Sequence, residues 1–260
     1  MAAAAVRIHP TALVDPRAEI DASVEIGPYC VVGAGVVIGA GTRLANHVVV
    51  EGPTAIGEGN AIHSFAVLGG EPQHKRHRHE GGPTRLRVGD GNVFREHVTV
   101  HRGTDGGTTI VGSHNLLMVG SHVAHDVTLG SHVTVANGVQ LAGHAIVFDY
   151  ATFGGLAGIA QRVQVGESAF VAAGAMVERA VPPFVIVQGD RARVRALNKV
   201  GLRRRGVSEE SIAALERAFR AIFSGRRPLA EAVRDLRDAE RGDPYVGKLV
   251  AAITCTFPSK

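Results

Sequence analysis

Apolar residues recur at every sixth position along most of the chain, with small and polar residues filling the intervals. One run is Ile8, Val14, Ile20, Ile26, Val32, Ile38, Leu44, Val50, Ile56, Ile62 and Leu68. A second is Val111, Leu117, Val123, Leu129, Val135, Leu141, Val147, Phe153, Ile159, Val165, Val171 and Val177. A period of six is neither the 3.6 of an α-helix nor the two of a half-buried strand. It predicts a parallel β-helix of hexapeptides, in which each apolar residue enters the interior and each short strand stacks on the coil below. Three hexads close one triangular coil, so residues eighteen apart lie one above the other at about 4.8 Å. This rule sets His125 against Gly143 and makes a column of Asn137, Gly155 and Ala173. Glycine follows the apolar position at Gly27, Gly33, Gly39 and Gly57, where a corner demanding positive φ is the expected cause.

The period breaks twice, over a basic, histidine-rich stretch after Gly69 that includes His74, His77 and His79, and again after His101. Insertions in a solenoid project as loops, often on the binding face. Ala180-Val-Pro-Pro183 is expected to end the repeat, because prolines supply no ladder donors. A connector runs on to Arg195, and the spacing then turns helical: from Ser208 to Gly225, from Leu229 to Glu240, and from Asp243-Pro244 towards Thr254. The expected organisation is therefore a β-helix over 1–190, with loops near 69–87 and 101–110, and a connector with a helical domain over 191–260. Helices there would cover one open end of the solenoid, whose unpaired strand edges invite aggregation.

Composition changes this picture only in part. Thirty-three glycines and no tryptophan suit a narrow repeat, and a formal net charge of +4 suggests an acidic partner without naming it. Two distant cysteines, Cys30 and Cys255, and the lack of a signal-peptide core after Met1 point to free thiols in a reducing cytoplasm. No apolar run approaches the length of a transmembrane segment.

The candidate chemistry lies between Gly120 and His144. His125 followed by Asp126 has the form of a general base oriented by a carboxylate. Gly143, one coil along, can bring its N–H to a developing oxyanion. His101, His122 and His144 fall near enough in coil terms to hold polar substrate groups. A competing use of the same side chains is zinc, through three of His97, His101, His122 and His125 across a subunit boundary. The column Asn137, Gly155 and Ala173 would leave a furrow for an alkyl chain.

Several segments carry a likeness: Ala124-His125-Asp126, Leu141-Ala-Gly-His144, His101-Arg-Gly-Thr104, Asn115-Leu-Leu-Met118, Val181-Pro-Pro183 and Gly201-Leu-Arg-Arg-Arg-Gly206. Together they resemble the acyl-[acyl-carrier-protein]-UDP-N-acetylglucosamine O-acyltransferases of lipid A biosynthesis, over nearly the whole chain. The resemblance implies a left-handed parallel β-helix and a homotrimer with active sites between subunits, without metal or bound cofactor. The donor would be a 3-hydroxyacyl chain on the phosphopantetheine arm of acyl carrier protein, and the acceptor the 3-hydroxyl of a UDP-sugar; nucleic acid is not implied. His125 would be the base, Asp126 its partner and Gly143 the oxyanion donor. Gln73, Arg76, His101, His122, His144, Gln161, Asn198, Arg204 and Arg205 would bind substrate, and a residue near Ala173 would measure the acyl chain. His74 and Ala160 depart from the family's pattern, which leaves a 3-amino sugar nucleotide as an alternative acceptor. An acyl-CoA-dependent sugar N-acyltransferase and a zinc-dependent carbonic-anhydrase-like hydratase are the other β-helix readings.

Overall fold

The computed structural model describes residues 7–75, 84–223, 228–239 and 242–256. Every apolar residue of the second hexapeptide run is buried, from Val111 to Val177. Their strands, mostly two residues long, stack into three sheets of eleven, nine and eight strands that form the walls of a left-handed parallel β-helix. The first sheet begins at Arg7–Ile8, the second at Leu13–Val14 and the third at Glu19–Ile20. Register is as the period requires wherever the hexads are unbroken: His122 pairs with Gln140 and Val123 with Leu141. Across the two interruptions the spacing stretches, so that Val67 lies beside Thr99 and Thr99 beside His122.

The glycines after the apolar position have a different cause from the one expected. The backbone is not left-handed at Gly27, Gly39 or Gly57; a Cβ at Gly27 would run into the Ala45 carbonyl, and one at Gly39 would lie 2.8 Å from Gly57 C. Coil-to-coil approach excludes a side chain at Gly27, Gly39 and Gly57, whereas a Cβ at Gly33 would make ordinary contacts. The positive φ falls two residues later, and non-glycine residues often hold it, among them Tyr29, His47, Phe65, Asp126, His132 and His144.

The repeat also runs further than the prolines suggested. Pro182 and Pro183 sit in a corner, while Val185–Gln188 rejoins the first sheet parallel to Phe170–Val171. Arg193–Leu197, which begins in the expected connector, then folds back antiparallel on it.

Four helices follow: α1 (Lys199–Arg204), α2 (Glu209–Phe223), α3 (Leu229–Ala239) and α4 (Pro244–Thr256). Asp243 Oδ1 accepts from the N–H groups of Tyr245 and Val246 at 2.9 and 3.1 Å, capping α4. The short α1 has no counterpart in the sequence reading. The helices bury a core of their own, including Leu202, Leu215 and Leu249, while Phe219 and Phe223 pack against the prism core. None of the described helices is long and apolar enough to cross a membrane.

Candidate active site

His125 occupies the corner between the second and third sheets, where the chain turns after His122–Val123. Its imidazole is buried and lies directly over the next coil: a Cβ on Gly143 would be 2.6 Å from Cε1 and 2.7 Å from Nε2. Only glycine admits this approach. The N–H of His144 is taken by the His125 carbonyl at 3.0 Å, whereas that of Gly143 has no acceptor among the described residues.

Asp126 holds the ring. Nδ1 of His125 lies 2.9 Å from Asp126 Oδ2, so Nδ1 carries the proton and Nε2 presents a lone pair. The carboxylate is fixed by the loop that interrupts the repeat after His101. Thr104 donates its backbone N–H to both oxygens at 3.1 Å and its hydroxyl to Oδ2 at 2.7 Å. Asp126 N–H in turn donates to Thr109 Oγ1 at 2.8 Å, and a side chain on Gly107 would overlap Asp126 Oδ1. Burial pushes the Asp126 carboxyl up, but the hydrogen bonds from Thr104 and His125 and the nearby His144 outweigh it and leave its pKa below the ordinary value. Asp126 is thus ionised at neutral pH.

The other histidines close round this pair. His144 stands edge-on to His125 with ring centroids 5.2 Å apart, and His74 does the same at 5.4 Å. His101 and His122 meet at 4.7 Å. Burial, with His122, His125 and Arg102 nearby, lowers His101 to a pKa of about 4, so it is neutral. Burial also lowers His122, against an opposing hydrogen bond with the Thr99 backbone, and Thr99 Oγ1 lies 2.7 Å from its Nδ1.

A cavity of about 570 Å³ opens here, lined by Gln73, His101, His122, His125, Gly143 and Gln161 together with residues of the next two coils. Seven of the predicted site residues are therefore brought together: those six and His144. Asp126 supports them from behind. Arg76 lies outside the described residues, as do His77 and His79. A larger groove of about 680 Å³ on the first sheet is lined by Ile8, Ile26, Leu44 and Ile62 with Glu25 between Arg7 and Arg43, and gathers no comparable chemistry.

Three predicted groups fall elsewhere. Asn198 is buried at the N-cap of α1, accepting from Gly201 N–H at 3.0 Å and donating to the Ser168 carbonyl at 2.9 Å. Arg205 pairs with Glu167 and lies 4.0 Å over the Tyr150 ring, at the corner between the third and first sheets. Arg204 is exposed on the same short helix. One chain thus places these three at a different edge of the prism from His125. Asn137, Gly155 and Ala173 stack as predicted, but at the corner between the first and second sheets, and none of them lines the cavity.

Of the four histidines offered for zinc, His101, His122 and His125 line one cavity, but within a single chain they do not form a group with closely placed ligand atoms. His97 stacks on Phe65 at that same corner, 5.2 Å between centroids, on another edge from His125. Among the described residues the one group with closely placed ligand atoms is His125, Asp126 and His144, all within 4.8 Å. Its carboxylate is already engaged by Thr104 and His125.

Thr104, Thr109 and Thr99 were not legible as site residues. Thr104 and Thr99 reach the site across an interruption, where the count of eighteen fails; Thr109 lies in the coil just below, in regular register with the strand at Thr128–Leu129. Met176, Glu178 and Asp190, which line the far part of the cavity, went unrecognised as well.

The chain is similar to known proteins over most of its length. Residues 181–256 match the family model described as UDP-N-acetylglucosamine O-acyltransferase, domain 2, and residues 5–40 and 108–143 match the bacterial transferase hexapeptide model. An acyl-[acyl-carrier-protein]-UDP-N-acetylglucosamine O-acyltransferase from Synechocystis is 44% identical over 200 residues, covering 76% of this chain and 71% of its own. The solved LpxA of Acinetobacter baumannii is 37% identical with a TM-score of 0.89, covering 96% of this chain and 97% of that one. The UDP-N-acetylglucosamine O-acyltransferase of Moraxella catarrhalis is 36% identical with a TM-score of 0.90, covering 97% and 98%.

Proposed function

Because this chain belongs to the acyl-[acyl-carrier-protein]-UDP-N-acetylglucosamine O-acyltransferases and is therefore an acyltransferase, we propose that it transfers a 3-hydroxyacyl chain from acyl carrier protein to the 3-hydroxyl of UDP-N-acetylglucosamine, the first step of lipid A biosynthesis. The observation that carries this reading is the His125 imidazole held by Asp126 with its Nε2 beside Gly143.

The residues divide the chemistry as follows. His125 Nε2 removes the proton from the sugar 3-hydroxyl as its oxygen attacks the thioester carbonyl. Negative charge gathers on the carbonyl oxygen, towards the Gly143 N–H. Collapse of the tetrahedral intermediate breaks the carbon–sulfur bond, and the departing pantetheine thiolate takes the proton back from His125. Asp126 stabilises the imidazolium between these steps and stays ionised throughout. His122, His144, Gln73 and Gln161 hold the acceptor. Neutral His101 adds no charge that would discourage protonation of His125.

The site is completed by a second copy of the chain. Arg204, Arg205 and Asn198 occupy another edge of the prism, so a homotrimer with its sites between subunits is the arrangement that brings a neighbour's α1 towards the nucleotide. Within each chain Arg205 anchors that helix through Glu167 and Tyr150. The reaction belongs in the cytoplasm, in keeping with Cys30, which is buried and free; the side chain of Cys255 lies outside the described set.

The test is to incubate the purified protein with 3-hydroxyacyl carrier proteins and UDP-N-acetylglucosamine, or its 3-amino analogue, and weigh the product. An O-acylated sugar nucleotide is expected, with His125→Ala lowering turnover by about 10²- to 10⁴-fold in a protein that still folds. Full turnover in His125→Ala would remove the base assignment.

A further inference from the structure

Arg102 belongs to one interruption of the repeat by its backbone and to the other by its side chain. It opens the second interruption, two residues before the Thr104 that clamps Asp126. Its guanidinium is buried against the first. Nη1 donates to the Gly69 carbonyl at 2.5 Å, where the chain leaves the prism wall, and Nε donates to Thr84 Oγ1 at 3.1 Å, where it returns. The Arg102 N–H donates to the Gly70 carbonyl at 2.9 Å, so side chain and backbone grip consecutive peptides. Glu51 and Glu71 flank the guanidinium at 3.7 and 4.0 Å and balance its charge.

Gly69 turns the chain outward. It is the extra residue of a bulge between Leu68, paired with Val100, and Gly70, paired with His101. Its φ is +80°, and a Cβ there would run into the Glu51 carbonyl and the Thr54 hydroxyl. From this point the chain has few residues in which to reach the site. His125 lies two coils along the axis from Gly70, about 10 Å, and Gln73 is three residues beyond Gly70, a span of at most about 11 Å. With so little spare chain, the direction of departure at Gly69 and Gly70 decides where the next residues arrive. Gln73 arrives in the wall of the cavity and His74 edge-on to His125.

We propose that Arg102 is a positioning residue for acceptor binding: its guanidinium fork fixes the exit of the first interruption and thereby holds Gln73 against the sugar nucleotide. This rests on the acyltransferase reading above, in which Gln73 contacts the acceptor. A planar fork with donors in fixed directions holds the carbonyl and the hydroxyl together, which the point charge of a lysine does not. The base is supported separately. Thr104 meets Asp126 from a turn held by Gly103 N–H on the Arg85 carbonyl at 3.0 Å and by Gly107 N–H on the Thr104 carbonyl at 2.5 Å, and neither bond uses the Arg102 side chain. Loss of the fork therefore weakens acceptor binding more than it slows proton transfer.

The experiment is steady-state kinetics with UDP-N-acetylglucosamine varied at saturating 3-hydroxyacyl carrier protein. Arg102→Met should raise KM for the sugar nucleotide about tenfold and change kcat by less than about threefold. Arg102→Lys, which keeps the charge between Glu51 and Glu71 without the fork, should raise KM nearly as much. Thr84→Val removes one arm only and should raise it about threefold; together with Arg102→Lys it decides the question if the methionine variant fails to fold. In a Gln73→Ala protein, Arg102→Lys should add less than about twofold, because the side chain it positions is gone. An unchanged KM in folded Arg102→Lys and Thr84→Val proteins would overturn the assignment, as would an equal rise with and without the Gln73 side chain. Absence of acylated sugar from the unsubstituted protein would instead overturn the acyltransferase reading, and this inference with it.

Discussion

At the corner between the third and first sheets, His114, His132 and Tyr150 take up the left-handed backbone position of successive coils. At the corner between the second and third sheets, Asp126, His144 and Arg162 take up the same position. The first set lies nearly flat: ring centroids are 5.2 and 4.7 Å apart, the planes are 20° and 8° from parallel, and Arg205 adds its guanidinium 4.0 Å over Tyr150. In the second set a carboxylate interrupts the ladder. His144 then stands at 86° to His125, with its Nε2 3.7 Å from Asp126 Oδ2. The backbone position is common to both, so the difference comes from a single acidic residue and from the loop that meets it. A stacked histidine is satisfied by its neighbours above and below. A histidine beside an ionised, clamped aspartate keeps one nitrogen in readiness for a proton.

Three changes test that contrast, the largest effect first. Thr104→Val removes the 2.7 Å hydroxyl bond to Asp126 while leaving the backbone one. A bond to a charged group contributes about 1.5 to 3 kcal/mol, so kcat/KM should fall by roughly 10- to 100-fold with little loss of folding, and Thr104→Ser should recover most of it. A rate unaffected by valine would mean that the loop merely passes by the carboxylate.

The second change is pH. His101 is neutral in the folded protein, with its pKa lowered from 6.5 to about 4. Between those values the unfolded chain binds a proton that the folded chain refuses, so stability falls as pH drops through that window and is fully present above it. Depression of Asp126 acts in the same direction at lower pH, since its contribution is lost once the carboxylate protonates. Equilibrium unfolding should show a loss of about 2 kcal/mol between pH 6.5 and pH 4, with a shallower slope in His101→Phe. A flat profile in the unsubstituted protein would contradict the buried, neutral imidazole.

The smallest effect belongs to the ladder. His132→Ala should cost about 1 kcal/mol of stability by breaking two stacked contacts and leave acyl transfer unchanged. A tenfold drop in rate without loss of stability would mean that the stack positions Arg205, 4.0 Å over Tyr150, for the site that a second copy completes.

The same contrast shows what the sequence makes legible. Wherever hexads run unbroken, spacing alone pairs His125 with Gly143 and buries Val111 to Val177, because each coil must repeat the one below to close its ladder. At the two interruptions the pairing steps become 32 residues, from Val67 to Thr99, and 23, from Thr99 to His122. Counting by eighteen therefore misses Thr99 beside His122 and Thr104 under Asp126. Asn198 is named as a substrate residue by the family resemblance alone; its N-cap role is not legible, because α1, six residues long, is too short to show a helical period. The corner glycines were found for the wrong reason, since a tight approach and a left-handed φ favour the same residue.

The antiparallel return of Arg193–Leu197 on Val185–Gln188 ends the parallel order of the first sheet. Any coil of a parallel stack is in principle a template for the next, and at the amino-terminal end the described coils present Ile8 and Leu13 at 41% and 69% exposure. At the other end the return strand runs against the template and the helices cover what remains. The first sheet is thereby closed at its carboxy-terminal edge to the parallel addition of a further coil.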